Sequence, residues 1–121
     1  MNKLLQTIKK NDEEFIEKGA DLEHQRWARW QKYVHSLCVK NPDGSLTISK
    51  DRVEHWEKEI AAPYSELTEE LKEYDRKETR NYLPLITQSR IRELRCLREM
   101  IKNEDKKTLI NKIDEIIKLA I

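Results

Sequence analysis

Glycine and proline are scarce in this sequence, with two and three copies in 121 residues. Tight turns draw on glycine for positive φ and on proline for a preset φ, so their scarcity argues against a many-stranded sandwich or barrel. The two cysteines, Cys38 and Cys96, are too few for a disulfide framework and read as small buried hydrophobes. No long apolar run is present either. The segment Met1–Lys10 has none of signal-peptide length, and nothing approaches the roughly 20 apolar residues of a membrane span. The expectation is a reduced, cytoplasmic chain. Charge of one sign is missing too: 24 Lys and Arg against 23 Asp and Glu leave a net charge of +1. Such a chain has no global field to attract nucleic acid or a membrane. Hydrophobic residues make up 37%, below the roughly 45–50% usual in globular chains. The core is expected to be small, with some apolar surface buried against a second copy.

What is there is helical periodicity. From Asp12 to Val39, Trp27, Trp30, Val34, Leu37 and Cys38 recur on one face of a 3.6-residue period. Gly19 weakens this segment and suggests a division, with Asp21 as N-cap of the second part. Residues before Asn11 are left open between helix and arm. Asn41-Pro42-Asp43-Gly44 is the clearest loop, with short flanks that can pair as a small hairpin. Ser49 predicts a cap for a helix over 50–61 that buries Val53, Trp56 and Ile60, ended by Pro63. Thr68, followed by Glu69 and Glu70, predicts a second capped helix to about Leu83, before Pro84. In the tail, Ile91, Leu94, Leu97, Met100 and Ile101 form one stripe. Leu109, Ile110, Ile113, Ile116 and Ile117 form another, with a break at Asn103-Glu104-Asp105. Two amphipathic helices with a short connection predict an antiparallel hairpin. The fold class is therefore all-α: three to four helices followed by a C-terminal helical hairpin.

Catalytic and metal signatures are missing. His24, His35 and His55 lack finger spacing, and no HExxH pattern occurs, so no metal and no cofactor is expected. There is no GxSxG elbow, glycine-rich phosphate loop or Walker lysine, and the chain does not read as an enzyme. Arg90, Arg92, Arg95 and Arg98 form a basic run, but Glu93 and Glu99 interrupt it and no aromatic is available for base stacking. It reads as a solvated helix face, not a nucleic-acid site.

All three tryptophans, Trp27, Trp30 and Trp56, fall in the middle of the chain, with His24 one turn before Trp27 and Tyr64 just after Pro63. Indole beside His, Tyr and Arg suits a planar heterocycle bearing phosphate. The same residues equally suit a small helical core with no ligand.

A family resemblance bears on this choice. Leu22-Glu23-His24-Gln25-Arg26-Trp27, followed by Ala62-Pro63-Tyr64-Ser65-Glu66-Leu67 and then Lys72, Asp75 and Arg76, resembles the ryanodine-receptor repeat (RyR) domain over residues 20–86. That family has a His-x-x-Trp helix and a Pro-Tyr-x-x-Leu segment leading to a helix with a Lys-x-x-Asp-Arg element. Its usual Gly-Trp-x-Tyr-Gly element is absent, since Val34–Val39 stands in that region. If that tryptophan stacks a ligand in the family, Trp30 or Trp56 must replace it here. The resemblance implies a small helical module over 1–86 and nucleotide-derived ligands, as in stand-alone bacterial and phage versions from settings of host–virus conflict. Residues 87–121 have no counterpart and are expected to form the hairpin as an oligomerisation element.

Two readings follow. In the first, His24, Trp27, Trp30, Trp56, Tyr64, Lys72, Asp75 and Arg76 form a non-catalytic site for a nucleotide-derived small molecule. Its use would be sequestration of a bacterial immune signal by a phage sponge, an anti-defence role in the host cytoplasm. In the second, the chain is a structural or protein-interaction module without a ligand. Both expect a homodimer or higher homo-oligomer.

Overall fold

The computed structural model describes residues 2–120. Among them the fold is all-α, with five α-helices and one minimal hairpin. The order is α1 (Lys3–Ser36), β1 (Val39–Lys40), β2 (Leu46–Thr47), α2 (Lys50–Ala61), a 3-10 turn (Tyr64–Glu66), α3 (Glu69–Arg80), α4 (Leu83–Asn103) and α5 (Lys106–Ala120). Contacts divide the chain into two units: residues up to Ala20 with those from Tyr82 onwards, and Asp21–Asn81. Residues 2–20 thus group with the C-terminal helices, and the division falls after Asn81.

The terminal unit is a hairpin of α4 and α5 completed by the first part of α1. Its buried apolar residues are Leu4, Cys96 and Met100, with Ile8, Leu97, Leu109 and Ile116 packed around them. Polar ties fix α1 to both partners. The Asn2 side chain accepts from Leu4 N–H at 2.9 Å, capping α1, and donates to the Lys112 carbonyl at 3.1 Å. Buried Asn11 donates to the Ser89 carbonyl at 3.3 Å and to Glu93 Oε1 at 3.0 Å. A buried amide must find such partners or lose its hydration uncompensated. Arg92 pairs with Glu14, so this member of the basic run leaves the solvated face. At the corner, Asp105 accepts from the Thr108 N–H at 2.9 Å and from its hydroxyl, which starts α5 and holds the Asp105 carboxyl below its usual pKa.

Two expectations are corrected here. Helix α1 runs unbroken through Gly19, and Asp21 lies inside it, accepting from the Gln25 amide at 2.7 Å instead of capping. A helical glycine costs about 1 kcal/mol relative to alanine, and packing outweighs it: buried Gly19 lies against Tyr82 and Phe15, whose rings are 6.3 Å apart. Helix α3 stops at Arg80, and Pro84 stands in the first turn of α4. Proline lacks the N–H that an opening turn leaves unpaired, so it starts helices as readily as it ends them.

The central unit contains the second part of α1, the hairpin, α2, the 3-10 turn and α3. The hairpin pairs Val39 with Thr47 and Lys40 with Leu46. Asp43 accepts from Ser45 N–H and Oγ–H, and Gly44 takes φ 88°, a conformation that side chains disfavour. Ser49 and Thr68 cap α2 and α3 by accepting from Arg52 N–H at 3.4 Å and Leu71 N–H at 3.3 Å. Arg29 on α1 meets Glu78 on α3 at 2.6 Å, and Trp30 on α1 meets Trp56 on α2 with centroids 6.0 Å apart. No residue from Asp21 to Asn81 is buried: Val53 and Ile60, expected inside, stand 42% and 76% exposed, and Cys38, also expected inside, is only half-buried, because the short α2 and the small hairpin have too little chain around them to cover these side chains.

Candidate functional site

The eight candidate residues all lie in the central unit and fall into three groups. His24 stacks on Trp27, one turn further along α1, with centroids 5.7 Å apart and planes at 25°. Trp27 is exposed, at 58%. Trp30 meets Trp56 and also Tyr33, the latter at 5.5 Å. Trp56 is half-buried and Trp30 remains exposed, so these indoles knit α1 to α2 without being sealed inside.

The third group gathers on α3 and the turn before it. Pro63 keeps an extended backbone, the 3-10 turn then brings Tyr64 back, and Thr68 starts α3. Lys72 Nζ lies 5.8 Å from the centre of the Tyr64 ring, within range of a cation–π contact. Tyr64, Asp75, Arg76, Thr79 and Arg80 line a shallow, open hollow of about 450 Å³. Three of the eight candidates thus line one concavity, and Lys72 stands over the ring of one of them. None of the tryptophans lines it; the phenol of Tyr64 supplies its aromatic surface.

A ladder of charges surrounds the hollow. Arg76 donates to Glu69 at 3.0 Å and reaches Glu73 at 3.5 Å, while Arg80 holds the other oxygen of Glu73. Lys72 adds a contact to Glu69 at 3.5 Å. The hydrogen bond from Arg76 chiefly holds the Glu69 carboxyl below its usual pKa, and that from Arg80 does the same for Glu73. Conversely, Glu69 raises the Arg76 pKa, with a smaller contribution from the Tyr64 phenol. Three cations thus converge beside an aromatic ring, held by carboxylates that are themselves exposed.

Thr79 and Arg80 belong to this hollow although the sequence reading did not select them. The signal available was spacing: Arg76 and Arg80 stand four residues apart on a helix and Glu73 is within reach of both. The histidines and cysteines form no comparable cluster. His55 pairs with Glu59 at 2.8 Å, His35 is exposed, and Cys38 donates to the Val34 carbonyl. Among the described residues no three His, Cys, Asp or Glu side chains group to hold a metal ion, and no helix is long and apolar enough to cross a membrane.

Comparison with known protein families, with curated proteins and with solved structures finds no match to this chain.

Proposed function

We propose that this chain is a non-catalytic binding module for a nucleotide-derived small molecule, held at the hollow of Tyr64, Arg76 and Arg80. The observation that carries this reading is the convergence of Lys72, Arg76 and Arg80 around one half-exposed phenol ring beside an open concavity. A planar heterocycle stacks on the ring, and its phosphate takes donors from the two guanidinium groups. The carboxylates now holding those donors are exposed, and exposed ion pairs contribute little, about 0–1 kcal/mol. Exchanging carboxylate for phosphate is therefore cheap. The resemblance to the RyR domain supports the same reading, because its Pro-Tyr and Lys-x-x-Asp-Arg elements supply Tyr64, Lys72, Asp75 and Arg76. A module with slow release and no turnover suits sequestration, and its proposed setting is a phage sponge for an immune signalling nucleotide in the host cytoplasm.

A thermal-shift panel of adenine nucleotides and cyclic nucleotides tests this. A ligand that binds only the folded chain raises Tm, by the equivalent of about 2.7 kcal/mol at a hundred times its Kd. Arg76→Ala is expected to abolish the shift while leaving the far-ultraviolet circular dichroism unchanged. Glu73→Gln is expected to enlarge it by releasing Arg80, which Glu73 alone holds, while Arg76 keeps Glu69. A panel without any shift, or a shift indifferent to both substitutions, overturns the assignment.

A second reading, self-association through the C-terminal helices, is favoured by a separate observation. Ile91, Leu94 and Ile101 on α4 and Ile110 and Ile117 on α5 stand between 42% and 63% exposed. Apolar side chains gathered in this way mark interaction surfaces.

A further inference from the structure

Helix α4 has two apolar sides. Cys96 and Met100 face the core, with Leu97 beside them. Leu94, Arg98 and Ile101, at i, i+4 and i+7, form a strip on the side turned away. Leu94 and Ile101 are both 63% exposed. Helix α2 carries a strip of the same spacing and opposite charge: Val53, Glu57 and Ile60, with Val53 42% and Ile60 76% exposed. Both Arg98 and Glu57 are exposed, and among the described residues neither makes an ion pair. Arg26, Arg29, Arg76, Arg80 and Arg92 each hold a carboxylate, whereas Arg98, like Arg52, Arg90 and Arg95, has a charge that no ion pair among the described residues takes up.

We propose that α4 of one chain receives α2 of a second copy, laid antiparallel. Leu94 meets Ile60, Ile101 meets Val53, and Arg98 meets Glu57 between them. The proposal rests on the self-association reading and names its surface. Two observations choose this occupant. Two α4 strips paired antiparallel about a two-fold axis set the Arg98 side of one against the Arg98 side of the other, which like charge opposes. The α2 strip instead offers a carboxylate between two apolar residues, matching the α4 strip in both spacing and sign. A nucleic acid fits less well, because phosphates offer nothing to Leu94 and Ile101. In a closed two-fold dimer the contact occurs twice, once in each direction, and the interface is isologous; made singly it is heterologous and gives a ring or an open assembly.

Sedimentation velocity over a range of concentrations tests the contact on the full chain. Arg98→Glu and Glu57→Arg are each expected to weaken association about tenfold or more, since each sets like charges together. The double variant, carrying Arg98→Glu and Glu57→Arg, is expected to recover it, and an equimolar mixture of the two single variants should associate better than either alone. Both positions are exposed, and circular dichroism checks that the variants remain folded. A chain monomeric at every concentration overturns both self-association and this contact. An oligomer indifferent to the single reversals overturns this contact while leaving self-association in place. Loss in both single variants without recovery in the double shows that Arg98 and Glu57 do not meet, and also overturns it.

Discussion

Thr68 shows how much rests on one hydroxyl. Helix α3 has no buried residue, so packing does little to hold its first turn. Thr68 Oγ1 accepts from the Leu71 N–H, and Glu69 and Glu70 place negative charge where the opening turn's free N–H groups favour it. Removing the oxygen leaves a donor unpaired and weakens the turn that aligns Lys72 with Tyr64. Thr68→Ala is expected to cost about 1 kcal/mol, read from the midpoint of urea denaturation, and Thr68→Ser to restore most of it. The same substitution should weaken nucleotide binding at the hollow, because α3 carries every cation around it. If Thr68→Ala leaves the midpoint unmoved, the cap contributes nothing and α3 is held by its ion pairs alone.

At the scale of elements, those ion pairs make α3 sensitive to acid. Hydrogen bonds from Arg76 and Arg80 depress the Glu69 and Glu73 carboxyls below 4.5, the value expected of the unfolded chain. A depressed folded pKa means stabilisation that is present above the unfolded value and is lost as pH falls through the folded one. Tm is therefore expected to be level from neutral pH down to about 5 as far as this ladder is concerned, then to fall below 4.5. Glu73→Gln should reduce that fall, and salt should reduce the whole effect, since the groups are exposed. A Tm profile in Glu73→Gln that parallels the parent protein's would show that the ladder is decorative. The elements themselves were largely legible before any coordinates. Ser49, Thr68, the Asn41–Gly44 turn and the break at 103–105 all carry their meaning locally, because a cap or turn needs only its own few residues. Asp21 and Pro84 misled for the opposite reason. A cap is a cap only where the preceding chain leaves the helix, and here Gly19 packed against Tyr82 keeps α1 helical. The site divides in the same way. Tyr64 and Arg76 lie within a dozen residues of each other and meet as their spacing suggests. Which tryptophan, if any, borders a hollow depends on how α1 and α2 pack, and periodicity does not report that.

At the scale of the molecule, burial is unequal. Among the described residues the buried apolar side chains, Leu4, Cys96 and Met100, lie in the terminal unit, whereas the central unit holds its aromatic residues half open. The tryptophans, in turn, lie only in the central unit, at Trp27, Trp30 and Trp56. Each unit therefore has its own packing, and the central one has its own optical report in tryptophan fluorescence. Met100 is 4% exposed and touches the heart of the terminal core, so Met100→Ala removes buried apolar volume where few neighbours can close the gap. Such truncations cost about 2–5 kcal/mol, a large part of the stability of so small a core. Far-ultraviolet circular dichroism senses helix in both units, while tryptophan fluorescence senses the central one. In Met100→Ala the dichroism midpoint is expected to fall further than the fluorescence midpoint, because the lost packing belongs to α1, α4 and α5 around Leu4 and Cys96. Non-coincident transitions are the mark of departure from two-state unfolding. Should both probes fall together by the same amount, the terminal core governs the stability of the whole chain, and the hollow at Tyr64 then owes its persistence to Met100 as much as to Thr68.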